Sequence, residues 1–363
     1  MQFRKFARAA LYLTVGCSIF CFGAYADEDL PAIHTLLCQT ACANSAGPVP
    51  DEHRLPHFPE DNIGWYDTYV EGYVLLHYTI MPDGHVSDIV TLELIGPKTF
   101  ENATLNAVKN WTYKPATLDG KPVATCRTLL MTFRMPETEP SGGRMEIVRL
   151  YDRAVAQIKD TKIDEAMNTL NEGQAMPKLN FYERGMLANL ASMIMLQKGD
   201  YVEARRLAKL ATDHGLDELK PAVVRTLWET RIKASLGIGD LVDALDSLDH
   251  LKKASGFDAG SPIVKLVENS RAKADSAPVF LTTGKIPDGD KGQGALFGLY
   301  RRNFSFTNIS GSLDGFTLSC KQQAIESKIT ATAEWHVPQS WSDCHVLVRG
   351  APGTTFRVAQ ATE

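Results

Sequence analysis

Glu71-Gly-Tyr-Val-Leu-Leu-His-Tyr-Thr-Ile80, Met81-Pro-Asp-Gly-His85 and Val86-Ser-Asp-Ile-Val-Thr-Leu-Glu-Leu-Ile95 follow one another without a break, and this stretch decides the fold. The first run alternates, placing Val74, Leu76, Tyr78 and Ile80 on one face of a strand. The second is turn chemistry: Pro82 sets φ, Asp83 accepts a local hydrogen bond, and Gly84 supplies a positive φ. The third returns as a partner strand whose alternation breaks at Asp88-Ile89, the sign of a bulge. Beyond Gly96-Pro97 the period changes to that of a helix, with Thr99 as its expected N-cap and Glu101 in its first turn. Phe100, Ala103, Thr104, Ala107, Val108 and Trp111 form one continuous stripe along it. A turn at Asp119-Gly-Lys-Pro122 leads to a third strand, Thr125 to Phe133, whose Leu129, Met131 and Phe133 face the helix.

These motifs resemble the C-terminal domain of the TonB energy-transducer family. The resemblance runs over residues 54–135 through Pro56-His-Phe58-Pro59, Glu71-Gly-Tyr-Val74, Tyr78 with Ile80, and Asp83-Gly-His-Val86. It continues through Phe100 with Ala103 and Ala107, Trp111-Thr-Tyr113-Lys-Pro115-Ala116, Gly120-Lys-Pro122-Val123 and Phe133. Gly64-Trp-Tyr-Asp-Thr-Tyr69 departs from the family's usual helix at that place. The resemblance implies a three-stranded antiparallel sheet with helices on one face. It also implies that the last strand is an edge taking a short peptide from an outer-membrane receptor by strand addition. Arg127, Thr128, Leu130 and Thr132 are then the residues nearest a partner.

Outward from this domain the chain, 363 residues long, changes character twice. Residues 1–26 have a signal-peptide layout: Arg4, Lys5 and Arg8, an apolar run from Leu11 to Phe22, and the cleavage site Ala24-Tyr25-Ala26. An uncleaved inner-membrane anchor over Phe6 to Tyr25 and a lipoprotein at Cys17 are the alternatives. Cleavage takes the formal charge from −5 to −8, because three basic residues and no acidic one leave. Such a chain does not suit nucleic acid, and it meets a membrane only if the leader is retained. Residues 27–53 form an N-terminal segment without a Pro-rich run; at about 3.3–3.6 Å per residue they reach under ~100 Å. That is short for a force-transmitting stalk, so binding is expected rather than energy transduction.

Pro136 to Gly143 is a linker into residues 144–275, which are helical in period. There Asp164-Glu-Ala-Met-Asn-Thr-Leu170 recurs from Gly199 to Leu207 and from Gly239 to Leu248. The shared Ala166, Ala204 and Ala244 are 38 and 40 residues apart, similar to a tetratricopeptide repeat with its period of about 34. Stacked hairpins of that kind often hold a peptide. Residues 278–363 return to short β runs: Gly298 to Phe306, Gly315 to Cys320, a strand from near Ile329 ended by Val337-Pro338, and Cys344 to Arg349. A small β-sandwich pinned by Cys320–Cys344 is expected, with Trp335 and Trp341 in its core rather than on an exposed aromatic patch. The fold class is therefore α+β multidomain: a three-stranded antiparallel sheet with its helix, a helical repeat region, and a small all-β sandwich.

Seven cysteines include Cys17 and Cys21 in the leader; Cys38, Cys42 and Cys126 leave one thiol over. Positions four apart on a helix have Cβ atoms about 5–6 Å from each other, too far for a disulfide. If that segment is helical, Cys126 takes one of the two, Cys42–Cys126 being one such pairing. No enzyme, metal or cofactor signature emerges. His53 and His57 are separated by Pro56, Gly289 to Gly294 lacks a phosphate-loop ending, and Cys38 and Cys42 are not a redox pair. The residues thus describe a periplasmic, non-enzymatic protein that binds an envelope protein or receptor peptide, linked to transmembrane transport. The alternative is a periplasmic scaffold that binds through its helical repeats.

Overall fold

The computed structural model describes residues 71–133, 142–212, 221–289, 293–321, 323–330 and 333–362, with backbone strands β1 (Ile33–Thr35), β2 (Ser45–Ala46) and β3 (Val49–Glu52) before them. The leader, Cys38, Cys42, His53, His57 and the Pro56–Pro59 signature lie outside the described residues.

Strands β4 (Gly72–Ile80) and β5 (Val86–Ile95), helix α1 (Lys98–Val108) and strands β6 (Thr112–Lys114), β7 (Ala116–Leu118), β8 (Lys121–Val123) and β9 (Thr125–Phe133) build the first unit. Its main sheet has the order β5-β4-β9, antiparallel throughout. Val74, Leu76, Tyr78, Ile80, Met131 and Phe133 pack beneath Phe100, Val108 and Trp111 of the helical stripe. Phe100 and Phe133 stack at 4.2 Å. The bulge falls where the alternation breaks: Asp88 has φ 49°, and the register shifts between His77 and Thr79. The hairpin turn is as the residues require, with Gly84 at φ 90° and the Asp83 carboxylate accepting from the His85 amide at 3.0 Å. The helix starts two residues earlier than its Thr99 cap would have it. Pro97 occupies the cap position without a side-chain bond, because its fixed φ already leads into the helix.

Helices α2 (Met145–Lys159) and α3 (Ile163–Gln174), α4 (Phe181–Lys198) and α5 (Tyr201–Thr212), and α6 (Pro221–Ile238) and α7 (Leu241–Lys253) follow as three hairpins, closed by α8 (Pro262–Ser276). Ala166, Ala204 and Ala244 head the second helix of each pair and are fully buried, which lets the helices approach closely. Gly199 and Gly239 both end the first helix of a pair at φ 78°; Thr161 takes that left-handed position in the first hairpin.

The last region is a sandwich. Its strands are β10 (Val279–Lys285), β11 (Gly294–Gly298), β12 (Asn303–Ser310), β13 (Leu313–Ser319), β14 (Ala324–Ser327), β15 (Glu334–His336), β16 (His345–Gly350) and β17 (Thr355–Ala361). One sheet runs β1-β15-β12-β17-β10 and the other β11-β16-β13-β14. Phe304, Phe306, Phe316, Trp335, Trp341 and Phe356 fill the space between them, so both tryptophans are core. Cys320 and Cys344 are joined, as their placement suggested. The single strand expected from Gly298 to Phe306 is two. The chain turns at residues 299–302, where the Tyr300 and Arg301 amides both donate to the Gln360 side chain.

The three regions are not strung apart. Tyr73, Leu75, Val90 and Leu92, on the sheet face away from α1, share one core with α2 to α6 and with Leu347 of β16. Glu71 accepts from the Phe181 amide at 2.7 Å, capping α4, and Tyr73 meets Phe181 edge to face. Arg206 of α5 reaches Glu93 of β5 at 2.5 Å. The N-terminal backbone crosses the same ground, since β1 joins the sandwich in parallel with β15 while β2 and β3 pair with β7 and β6.

Replacing both Cys320 and Cys344 with serine should lower stability by about 3 kcal/mol, given the loop their bond closes. Urea unfolding of oxidised protein and double variant would show it as a shift in midpoint.

Candidate partner-binding edge

Strand β9 pairs with β4 along its whole length, from Gly72 opposite Phe133 to Ile80 opposite Thr125. Among the described residues no strand lies on its other side. The far edge of the sheet is treated differently: the Gln293 amide donates to Thr91 O of β5 at 2.7 Å, so the sandwich covers part of it. On the β9 side the sandwich meets the strand's start, where the Ala324 amide donates to Ala124 O at 2.8 Å. Among the described residues no strand pairs with the outer side of β9 from Thr128 onward.

Register divides the expected edge residues between two faces. Thr128, Leu130 and Thr132 lie opposite His77, Leu75 and Tyr73, on the face turned to the helices and the sandwich. Thr128 and Thr132 are exposed, and Leu130 packs half-buried against the shared core. Arg127 lies on the α1 side, its guanidinium 5.6 Å from the Tyr113 ring. Tyr113 in turn holds Tyr78 through a 2.5 Å hydroxyl pair; burial, with that bond, pushes the Tyr78 phenol above its ordinary range. Cys126 is a half-buried free cysteine 3.5 Å from the Thr79 hydroxyl, and burial pushes its thiol up. Cys42, its candidate partner, lies outside the described residues.

A second cluster, not foreseen from the sequence, sits beside this edge. Arg205 of α5 pairs with Asp240 at 2.6 Å, and Arg231 of α6 pairs with Asp243 at 2.5 Å. Ser235 also donates to Asp243 at 2.5 Å, and Arg205 donates to Leu296 O at 3.1 Å. Burial opposes the charge of Asp243, but Arg231 and Arg205 outweigh it and hold the carboxyl far below its usual range. Across from these lies His77, 4% exposed, its Nδ1 3.1 Å from the Thr128 hydroxyl. The Gly-Asp pair at Gly239-Asp240 was visible as a turn signal; its ion-pair partner Arg205, 35 residues away, was not.

The unit is a three-stranded antiparallel sheet with a helix on one face, its last strand at the edge of the sheet. Residues 67–135 match the family model described as Gram-negative bacterial TonB protein C-terminal, so this stretch is similar to a TonB C-terminal domain. Among solved structures, the solution structure of the Pseudomonas aeruginosa TonB C-terminal domain is 26% identical, covering 27% of this chain and 95% of its own, with a TM-score of 0.23. No curated protein matches the chain. Among the described residues no helix is long and apolar enough to cross a membrane.

His77 gives the site a pH dependence. Burial, joined by the positive charges of His345, Arg349 and Lys209, lowers it from 6.5 to about 4. The folded chain therefore holds a neutral imidazole while the unfolded chain takes up a proton below pH 6.5. Stability should fall as pH drops through the interval from 6.5 to 4, by about 2–3 kcal/mol from this group, and be unaffected by it above pH 7. Denaturant unfolding of wild type and His77→Gln at pH 7.5 and 4.5 would show the wild type losing that much more.

Proposed function

We propose that this chain is a non-enzymatic envelope protein, exported to the periplasm by its leader, that receives a strand from a protein partner on the β9 edge. Outer-membrane transport is the setting that the family match favours. The observation that carries the reading is the asymmetry of the sheet. The β5 edge is met by Gln293 from the sandwich, whereas β9 from Thr128 onward has no strand beyond it among the described residues. Backbone pairing supplies the affinity in such a contact, and the alternate side chains Thr128, Leu130 and Thr132 tune the choice of strand.

A second reading draws on the burial of the sheet's outer face. In it the domain serves as structure, and the tetratricopeptide-like hairpins bind the partner. The two separate by position. A photo-crosslinking residue at Thr128 or Thr132 of the full chain, in cells, should yield an adduct with an outer-membrane receptor. The same residue at Leu266 of α8 or Tyr201 of α5, both exposed, should yield none. Adducts from the helical positions alone would reject the edge reading in favour of the second.

A further inference from the structure

Packing leaves two cavities where the three regions meet. The larger, about 340 Å³, is walled by Arg205, Lys209 and Arg231 together with Asp243 and Asp246. Its arginines pair with Asp240 and Asp243, and Lys209 acts on Asp243, so its charges are matched and select no occupant. The smaller, about 130 Å³, is built differently. Leu75 of β4, Leu92 of β5, Leu210 of α5, Ile238 of α6, and Leu296 and Phe297 of β11 supply its apolar walls. All of these but Leu296 are buried.

The charged groups of its lining are held by partners. Arg206 is shared by Glu93 at 2.5 Å and Glu203 at 2.7 Å. Lys285 reaches Asp288 at 2.6 Å, and Arg205 donates to Asp240 and to Leu296 O. Asp288 is exposed, so the cavity meets solvent there. A charged occupant would give up its hydration for walls whose charges are already matched, whereas an apolar one loses nothing by entering. Size narrows the choice further. Packed interiors hold few voids larger than a water molecule. A cavity of about 150 Å³ lined by Leu, Ile and Phe in another protein stays dry and takes up benzene. This one is close to that volume, which is room for a single ring.

We propose that this cavity is a binding site for a small uncharged molecule built on one hydrocarbon ring. The ring lies against Leu75, Leu92 and Leu210, and any substituent points toward the opening at Asp288. Since the walls come from the sheet, the helices and the sandwich, the occupant fits only the assembled chain and stabilises it by mass action. The cavity runs along β4 and β5, and no residue of β9 lines it, so the site stands apart from the partner edge.

Calorimetric titration and thermal unfolding of the full chain, at fixed ionic strength, test this with four probes: benzene, phenol, benzoate and benzylammonium. Benzene and phenol should bind saturably, one per chain, and raise the melting midpoint. Benzoate and benzylammonium should bind at least tenfold more weakly. Val202 is a half-buried residue of the wall. Val202→Phe fills the space and should weaken benzene and phenol at least tenfold, while Val202→Ala should keep their affinity within about threefold. The unliganded melting midpoints of both variants separate lost binding from lost folding. No saturable binding of benzene or phenol would overturn the proposal, as would equal binding of the charged probes or unchanged binding by a folded Val202→Phe protein.

Discussion

The rest of the structure depends on the need to cover the second face of a small sheet. One side of β4 is buried by α1, as in any sheet with a helix laid across it. The other side carries Tyr73 and Leu75, with Val90 and Leu92 beside them on β5, and four large apolar side chains on an open face are not stable in water. Burying a residue of this kind contributes about 1.5–3 kcal/mol. The helices and the sandwich supply the cover, so the sheet is the middle layer of the molecule.

That arrangement changes what the TonB-like domain can offer a partner. Both faces of its sheet are occupied and one edge is met by the sandwich; among the described residues no strand lies beyond the β9 edge. The charged junction beside it is built with buried ion pairs, whose Coulombic gain is largely offset by desolvation. Arg205, Arg231, Asp240 and Asp243 fix the orientation of α5, α6 and α7 against β11 more than they add stability. The price is a cavity that apolar packing would have filled.

Much of the first unit was legible from residues alone. The inward face of β4, the bulge at Asp88, the helical stripe and the third strand all follow from local period, because each is decided by neighbours in sequence. The buried tryptophans and the Cys320–Cys344 bond were legible as well, the two cysteines flanking short strands 24 residues apart. What escaped was decided at a distance. The strand from Gly298 to Phe306 breaks because Gln360 accepts both amides of the turn, and Arg301 bonds the last carbonyls of α8. The outer face of β4 carried a signal, since Tyr73 to Tyr78 is nearly a continuous apolar run, the pattern of a strand buried on both sides. Of the expected edge residues, Thr128 and Thr132 are exposed. The seating of Leu130 against the helices required knowing that the helices were there.

The coupling of Tyr73 to Leu347 sets a clock on the molecule's assembly. At about 5–20 residues per second, Leu347 leaves the ribosome roughly 14 to 55 s after Tyr73. Early in that interval, before α2 to α6 have emerged, the sheet has its helix but not its other cover, and its apolar outer face is open. The chain cannot be trimmed to its recognisable domain without leaving that surface permanently bare.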